Sequence, residues 1–279
     1  MTSTHELELP PALHEHAREW LATPAQDRTV APARLASTVL LVRESGSGVE
    51  VFMQRRVSSM KFAPSMWVFP GGGVDARDES PGVPWAGPSP AEWASLLGIP
   101  EPTAQAIVSA AVREVFEECG VLLAGTSSDD VVLDVTGDDW QADRAAVLER
   151  RLPFASLLER RGLVLRSDLL ALQDHWITPE MQPRRYDTWF FSARLPERQV
   201  ADDRTTEVDT AVWRRPSDVI AEEASGRARM FAPTLVQLHR LAGWADLTPA
   251  TINRDGLRAV MPEPVEDGDR VLIRAELND

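Results

Sequence analysis

The stretch "AAVREVFEECGVLL", residues 110–123, decides how the rest of the chain is read. At the helical step of about 100° per residue, Glu114, Glu117 and Glu118 share one face. Val108, Val112, Val115, Phe116 and Cys119 gather on the opposite side, which predicts a helix packed on a core. Gly120 is placed to stop it in the left-handed conformation. Like charges at this spacing repel, and they sit near the helix C-terminus, where the macrodipole disfavours negative charge. A solvated acidic face is the plain structural reading. The alternative is a hard divalent cation. Mg²⁺ binds through carboxylate oxygens while keeping waters or phosphate oxygens, and a local rule broken without structural gain points to function.

Outward from this helix, the chain alternates strands and helices. Residues 35–43 and 49–56 read as a β-hairpin across "ESGSG", and a short strand "WVF" runs into "PGGGVDARDES". Residues 139–162 carry helical periodicity broken at Pro153. "LLALQDHWITP" and "RRYDTWFFSARL" read as two paired strands, "TEVDTAVWRR" as another, and Pro216 opens a helix. Residues 232–244 are helical and "DRVLIRAEL" is a terminal strand. This order predicts an α+β fold of the α/β/α sandwich type, a mixed β-sheet packed between helices. Residues 1–33 read as an N-terminal extension with a short amphipathic helix, 79–103 as a Pro- and Gly-rich insertion, and 232–279 as a C-terminal extension.

With 279 residues the chain can bury a large core. No apolar run is long enough to cross a bilayer, no leader pattern opens the sequence, and a cytoplasmic, membrane-free protein is expected. The single cysteine, Cys119, excludes an internal disulfide and a cysteine-built zinc site, and is read as a core residue. A net charge of −14 argues against general nucleic-acid binding. It leaves room for a small phosphorylated ligand held by local arginines.

"FPGGGVDARD" and "AVREVFEECGV" together resemble the signature of the Nudix hydrolases. The second half matches residue for residue from Arg113 to Val121. The first aligns Gly72 with the family glycine and puts Asp78 where glutamate is usual. The span between Asp78 and Arg113 is much longer than in the family pattern. A split signature with "RRYDTWFF" downstream resembles the branch that contains a peroxisomal coenzyme A diphosphatase. The run Pro70, Gly71, Gly72, Asp75 and Asp78 resembles the form seen in coenzyme A-directed members. The body, 34–279, is accordingly expected to be a Nudix domain.

The resemblance implies hydrolysis of a diphosphate with Mg²⁺ or Mn²⁺. Glu114, Glu117 and Glu118 would hold metal, Glu118 and Glu114 most directly, and Asp78 would either support that site or cap a turn. Arg113, at i,i+4 from Glu117, would orient that carboxylate. Gly71 and Gly72 would shape the loop against substrate. Glu207 is the candidate general base, and His175 beside Trp176 is more simply a packed histidine. Arg55, Arg56, Arg184 and Arg185 are candidate phosphate contacts, half of them expected to point away if both pairs lie on strands. Tyr186 and Trp189 would stack on a base or join the core, and Trp85 and Trp93 would form a lid or anchor the insertion. The implied substrate is coenzyme A or an acyl-CoA, cleaved to 3′,5′-ADP and (acyl)phosphopantetheine. The alternatives are ADP-ribose, NADH or a dinucleotide, and a Nudix-fold binder without turnover. The protein is expected to act as a monomer or homodimer.

Overall fold

The computed structural model describes residues 2–9, 13–46, 48–57, 64–80, 82–202, 204, 208–247 and 257–278. In chain order the elements begin with β1 (Thr2–Glu8), α1 (His14–Ala22), β2 (Ala33–Ser45) and β3 (Gly48–Arg56). Then come β4 (Trp67–Val68), β5 (Gly71–Gly73), β6 (Trp85–Ala86), α2 (Pro90–Leu97), α3 (Glu101–Cys119), β7 (Ala124–Gly125), α4 (Asp138–Leu148) and α5 (Phe154–Arg161). β8 (Val164–Arg166), β9 (Ala171–Ile177), β10 (Arg185–Arg194) and β11 (Val208–Arg214) follow. The chain closes with α6 (Pro216–Ala224), α7 (Ala232–Ala242), β12 (Glu263–Asp267) and β13 (Arg270–Asn278).

The central sheet runs β11-β3-β2-β10-β9, with β4 pairing β3 and β5 pairing β2. β2 and β10 are parallel and the other pairs antiparallel. Both faces are buried, as the alternation of side chains along a strand requires. Val39, Leu41, Phe52, Trp189 and Phe191 pack with Ile107, Ala111 and Val115 of α3. Leu40, Val42, Val51, Met53 and Phe190 pack with Val219 of α6 and Leu238 and Leu241 of α7. The sheet between helices that the sequence predicts is therefore the fold. No described helix is long and apolar enough to cross a membrane.

The insertion is built into the body. A capping box between Ser89 and Glu92 starts α2, and Gly98 at φ +69° ends it. Trp93 is 1% exposed and meets Phe191 of β10 edge-on at 5.7 Å between ring centroids. β6 pairs with β8, which also pairs with β7, in a small second sheet. The Trp85 indole donates to the Pro88 carbonyl at 2.6 Å, and the Ser167 hydroxyl donates to the Ala86 and Pro88 carbonyls. Of the two roles open to these tryptophans, the structure gives Trp93 the anchor.

The two ends of the chain meet. β1 pairs antiparallel with β13 from Thr2↔Asn278 to Glu8↔Leu272, and β12 completes a third sheet. Asp174 of β9, fully buried, accepts from the Trp176 indole, Gln237 and Arg240 of α7, and the Asn278 amide. These four side-chain donors and the His175 N–H offset the cost of burying the carboxylate and pin the C-terminal strand to the central sheet. Trp93→Ala removes a fully enclosed ring between the insertion and β10; the expected loss is about 3–5 kcal/mol of unfolding free energy. Urea titration measures it, and a loss within error of zero would show that the insertion is not part of the cooperative fold.

Candidate active site

α3 starts behind Pro100, with Pro102 in its first turn, where a proline is tolerated, and ends at Gly120, φ +64°, whose N–H bonds the Phe116 carbonyl at 3.0 Å. Its C-terminal half carries the acids. Glu114 and Glu117 are buried and Glu118 half-buried, so the face is not the solvated acidic surface of the plain reading.

Arg113 organises them. Its Nε and Nη2 grip the two oxygens of Asp78, each at 2.9 Å, in the two-pronged geometry that suits a guanidinium and a carboxylate. Nη1 donates to Glu114 at 2.8 Å and to Glu117 at 3.1 Å, and Nη2 also donates to the Gly73 carbonyl at 3.0 Å. The orienting role read for Arg113 thus extends beyond Glu117 to three carboxylates. Asp78 does more than either role open to it. Its Oδ2 accepts from the Asp75 N–H at 2.8 Å, closing the turn over 75–79, while both oxygens face Arg113. Asp78 thus joins the turn to the guanidinium.

β5 lies against the acids. The Gly71 N–H donates to Glu118 at 3.0 Å. At Gly72 a Cβ would fall 2.4 Å from the Glu114 carboxylate, so any side chain there would displace it. Two consecutive glycines thus meet Glu118 and Glu114.

Burial raises the Glu114 carboxyl from its ordinary 4.5 to about 7, against the opposing pull of Arg113, with Glu117 adding to the rise. Burial also raises Glu117. Burial alone would lower Arg113, but Glu114, Asp78 and Glu117 more than reverse it, and its proton is held more tightly than usual. Among the described residues no three Asp, Glu, His or Cys side chains form a ready-made metal cage. The guanidinium of Arg113 lies between Asp78, Glu114 and Glu117.

The arginine pairs divide. Arg55 is exposed, pairs with Asp209 at 2.8 Å and lies over Trp67. Arg185 is buried, its donors directed at the Thr178 and Ala31 carbonyls and the Met261 sulfur. Both have protein partners. Arg184 is exposed. Arg56 alternates with Arg55 onto the face of Phe52 and Gln54, and its Nε is buried with no acceptor among the described residues. Tyr186 is half-buried, its N–H donating to the Thr178 hydroxyl at 3.0 Å. Trp189 is core, stacked on His175 at 3.7 Å, and His175 bonds Asp187 at 2.5 Å, the packed histidine that was expected. Glu207 lies outside the described residues. Sequence reasoning missed Arg144 of α4, which is buried and donates to the Glu117 carbonyl at 2.9 Å. Nothing in the periodicity of residues 139–162 marks it.

The raised Glu114 carboxyl carries a sign. Between about pH 4.5 and about pH 7 the folded chain keeps a proton here that the unfolded chain has released, so this group's contribution to stability falls as pH rises through that window. In chelator, the pH dependence of urea unfolding is expected to flatten in Glu114→Gln relative to the parent. Superimposable slopes would show that the carboxylate is already compensated.

The profile described as the NUDT19 Nudix domain matches residues 89–241. The acyl-coenzyme A diphosphatase NUDT19 of Gallus gallus is 29% identical over 240 residues, covering 71% of this chain and 62% of that protein. Its counterpart from Xenopus laevis is 25% identical over 269 residues, covering 80% and 69%. A crystal structure of a Nudix hydrolase from Alicyclobacillus acidocaldarius superposes with a TM-score of 0.65 at 24% identity, over 82% of this chain and 100% of that one, a likeness of fold. With the arginine-centred acids of α3 set against a glycine strand, these matches make the chain a member of the Nudix hydrolase family, of the NUDT19 Nudix domain type.

Proposed function

We propose that the protein is a metal-dependent diphosphatase that cleaves coenzyme A or an acyl-CoA into 3′,5′-ADP and (acyl)phosphopantetheine. The observation that carries the reading is the placement of Glu118 and Glu114 against Gly71 and Gly72. Two carboxylates are set against neighbouring backbone positions, and burial raises the carboxyl of one of them despite its bond to Arg113. The donors are all oxygen, the ligand type that Mg²⁺ and Mn²⁺ take, so the residues present suit such an ion. Glu118 and Glu114 would hold it with Glu117 as the third carboxylate, and it would supply the positive charge that offsets the developing phosphoryl oxyanions.

The remaining work falls to the chain. Arg113 occupies the inner oxygens of Glu114 and Glu117 and keeps them aimed, and Asp78 holds the other edge of the guanidinium so that it cannot swing to a ligand. A water oxygen forms the new bond to phosphorus, the bridging P–O bond breaks, and its electron pair leaves with the departing phosphate. Glu207 is the proposed acceptor of the water proton. The unsatisfied Arg56 Nε and the exposed Arg184 are the proposed phosphate donors, a task suited to the guanidinium fork. The names of the two NUDT19 relatives support coenzyme A over other nucleoside diphosphate derivatives.

Glu118→Gln keeps an oxygen for the Gly71 N–H but loses the charge. It is expected to lower kcat by at least ~10²-fold with the fold intact, and unchanged turnover would remove Glu118 from the mechanism. Product-resolved assays with Mg²⁺ and Mn²⁺ should show coenzyme A turned over faster than 3′-dephospho-coenzyme A. Equal rates, or faster turnover of ADP-ribose or NADH, would reassign the substrate.

A further inference from the structure

An α-helix leaves its last carbonyls without helical partners, and at the end of α3 they are taken up in an unusual way. The Phe116 carbonyl accepts from the Gly120 N–H, the Glu117 carbonyl from Nε of Arg144 at 2.9 Å, and the Cys119 carbonyl from the Asp202 N–H at 2.9 Å. Arg144, 3% exposed, then donates through Nη1 to Asp202 Oδ1 at 2.6 Å. One cation thus joins the helix turn that carries the acids to the segment between β10 and β11. Gly120 is needed twice there. Besides its positive φ, a Cβ at this position would lie 2.8 Å from Nη1 of Arg144 and 3.4 Å from Asp202.

The segment is fastened at a second point. Gln199 accepts from the Leu122 N–H at 2.8 Å and donates to the Leu122 and Val132 carbonyls at 2.9 and 2.6 Å. Asp202 also accepts from the Arg204 N–H at 3.1 Å. Two features go beyond packing. Arg144 is a charge buried in the body of the protein, and its Nη2 has no acceptor among the described residues, a state that interiors avoid. The group it grips is the backbone of Glu117 itself, one residue from Glu118.

We infer that the Arg144–Asp202 bridge is a positioning device for the reaction. It sets the carboxylate turn of α3 against the segment that follows β10, through the Glu117 carbonyl and the Asp202 carboxylate. The inference rests on the diphosphatase reading and deepens it. Neither residue is assigned to substrate or metal. Their effect passes through the Glu117 backbone and through the segment 199–202.

Asp202→Asn tests it first, because Asp202 is about a quarter exposed on its side chain and the amide keeps an acceptor for Arg144 while losing the charge. The expected result is kcat lowered by at least about tenfold, with KM for coenzyme A and the Mn²⁺ dissociation constant, followed by electron paramagnetic resonance, each within about threefold of the parent. Arg144→Gln should give the same split, and the double variant should be no slower than the slower single, since one bridge is lost in all three. If Arg144→Gln fails to fold, Asp202→Asn alone decides. A lower Tm with parental kcat would make the bridge structural only and overturn the inference, while parental diphosphatase activity stands. A parent chain that turns over no diphosphate with Mg²⁺ or Mn²⁺ would instead overturn the diphosphatase reading and this inference with it.

Discussion

A single guanidinium in the interior sets the terms for this protein. Arg113 brings Asp78, Glu114 and Glu117 to one point. Three buried carboxylates without it would be untenable, since each ion taken from water costs several kcal/mol unless paired. Its reach also fixes the chain around it. The Gly73 carbonyl and the turn over 75–79 are drawn to the same cation, so the glycine strand, the turn and the helix are held in one arrangement.

That arrangement leaves the charge unbalanced. One cation serves three carboxylates, and Glu118 adds a fourth a residue away. Burial raises the Glu114 carboxyl, and its neighbour Glu117 adds to the rise against the pull of Arg113. The acids are held in one arrangement in advance, so accepting positive charge there would need little reorganisation. The close approach at Gly72 is part of the same design, for only a residue without Cβ lets the strand lie against Glu114.

The long span between the two halves of the signature leaves this geometry untouched because the insertion folds onto a different surface. Trp93 enters the core against Phe191, and β6 joins the small sheet with β7 and β8. Asp78 and Arg113 meet in space although 35 positions separate them. The insertion leaves the site at its start, at the turn over 75–79, and returns to it along α3, so its length adds structure at the side of the sheet rather than at the acids.

The acidic turn, the glycine run before it and the sheet between helices were all legible in the sequence, because periodicity and special backbone positions are local properties that neighbouring residues encode. Which arginine meets which partner was not. Arg55 and Arg56 are adjacent and chemically alike, yet the alternation of a strand and the position of Asp209 decide that one is paired outward and the other faces inward, its Nε without an acceptor among the described residues. Arg185 resembles Arg184 until three acceptors from distant segments converge on it. The pairing of β1 with β13, the burial of Asp174 under donors from β9, α7 and the C-terminus, and the hold of Arg144 on the Glu117 carbonyl all join segments far apart in the chain. Local sequence determined what each element could be. Only the tertiary structure decided which charges would be left without water, and so which partners they had to find.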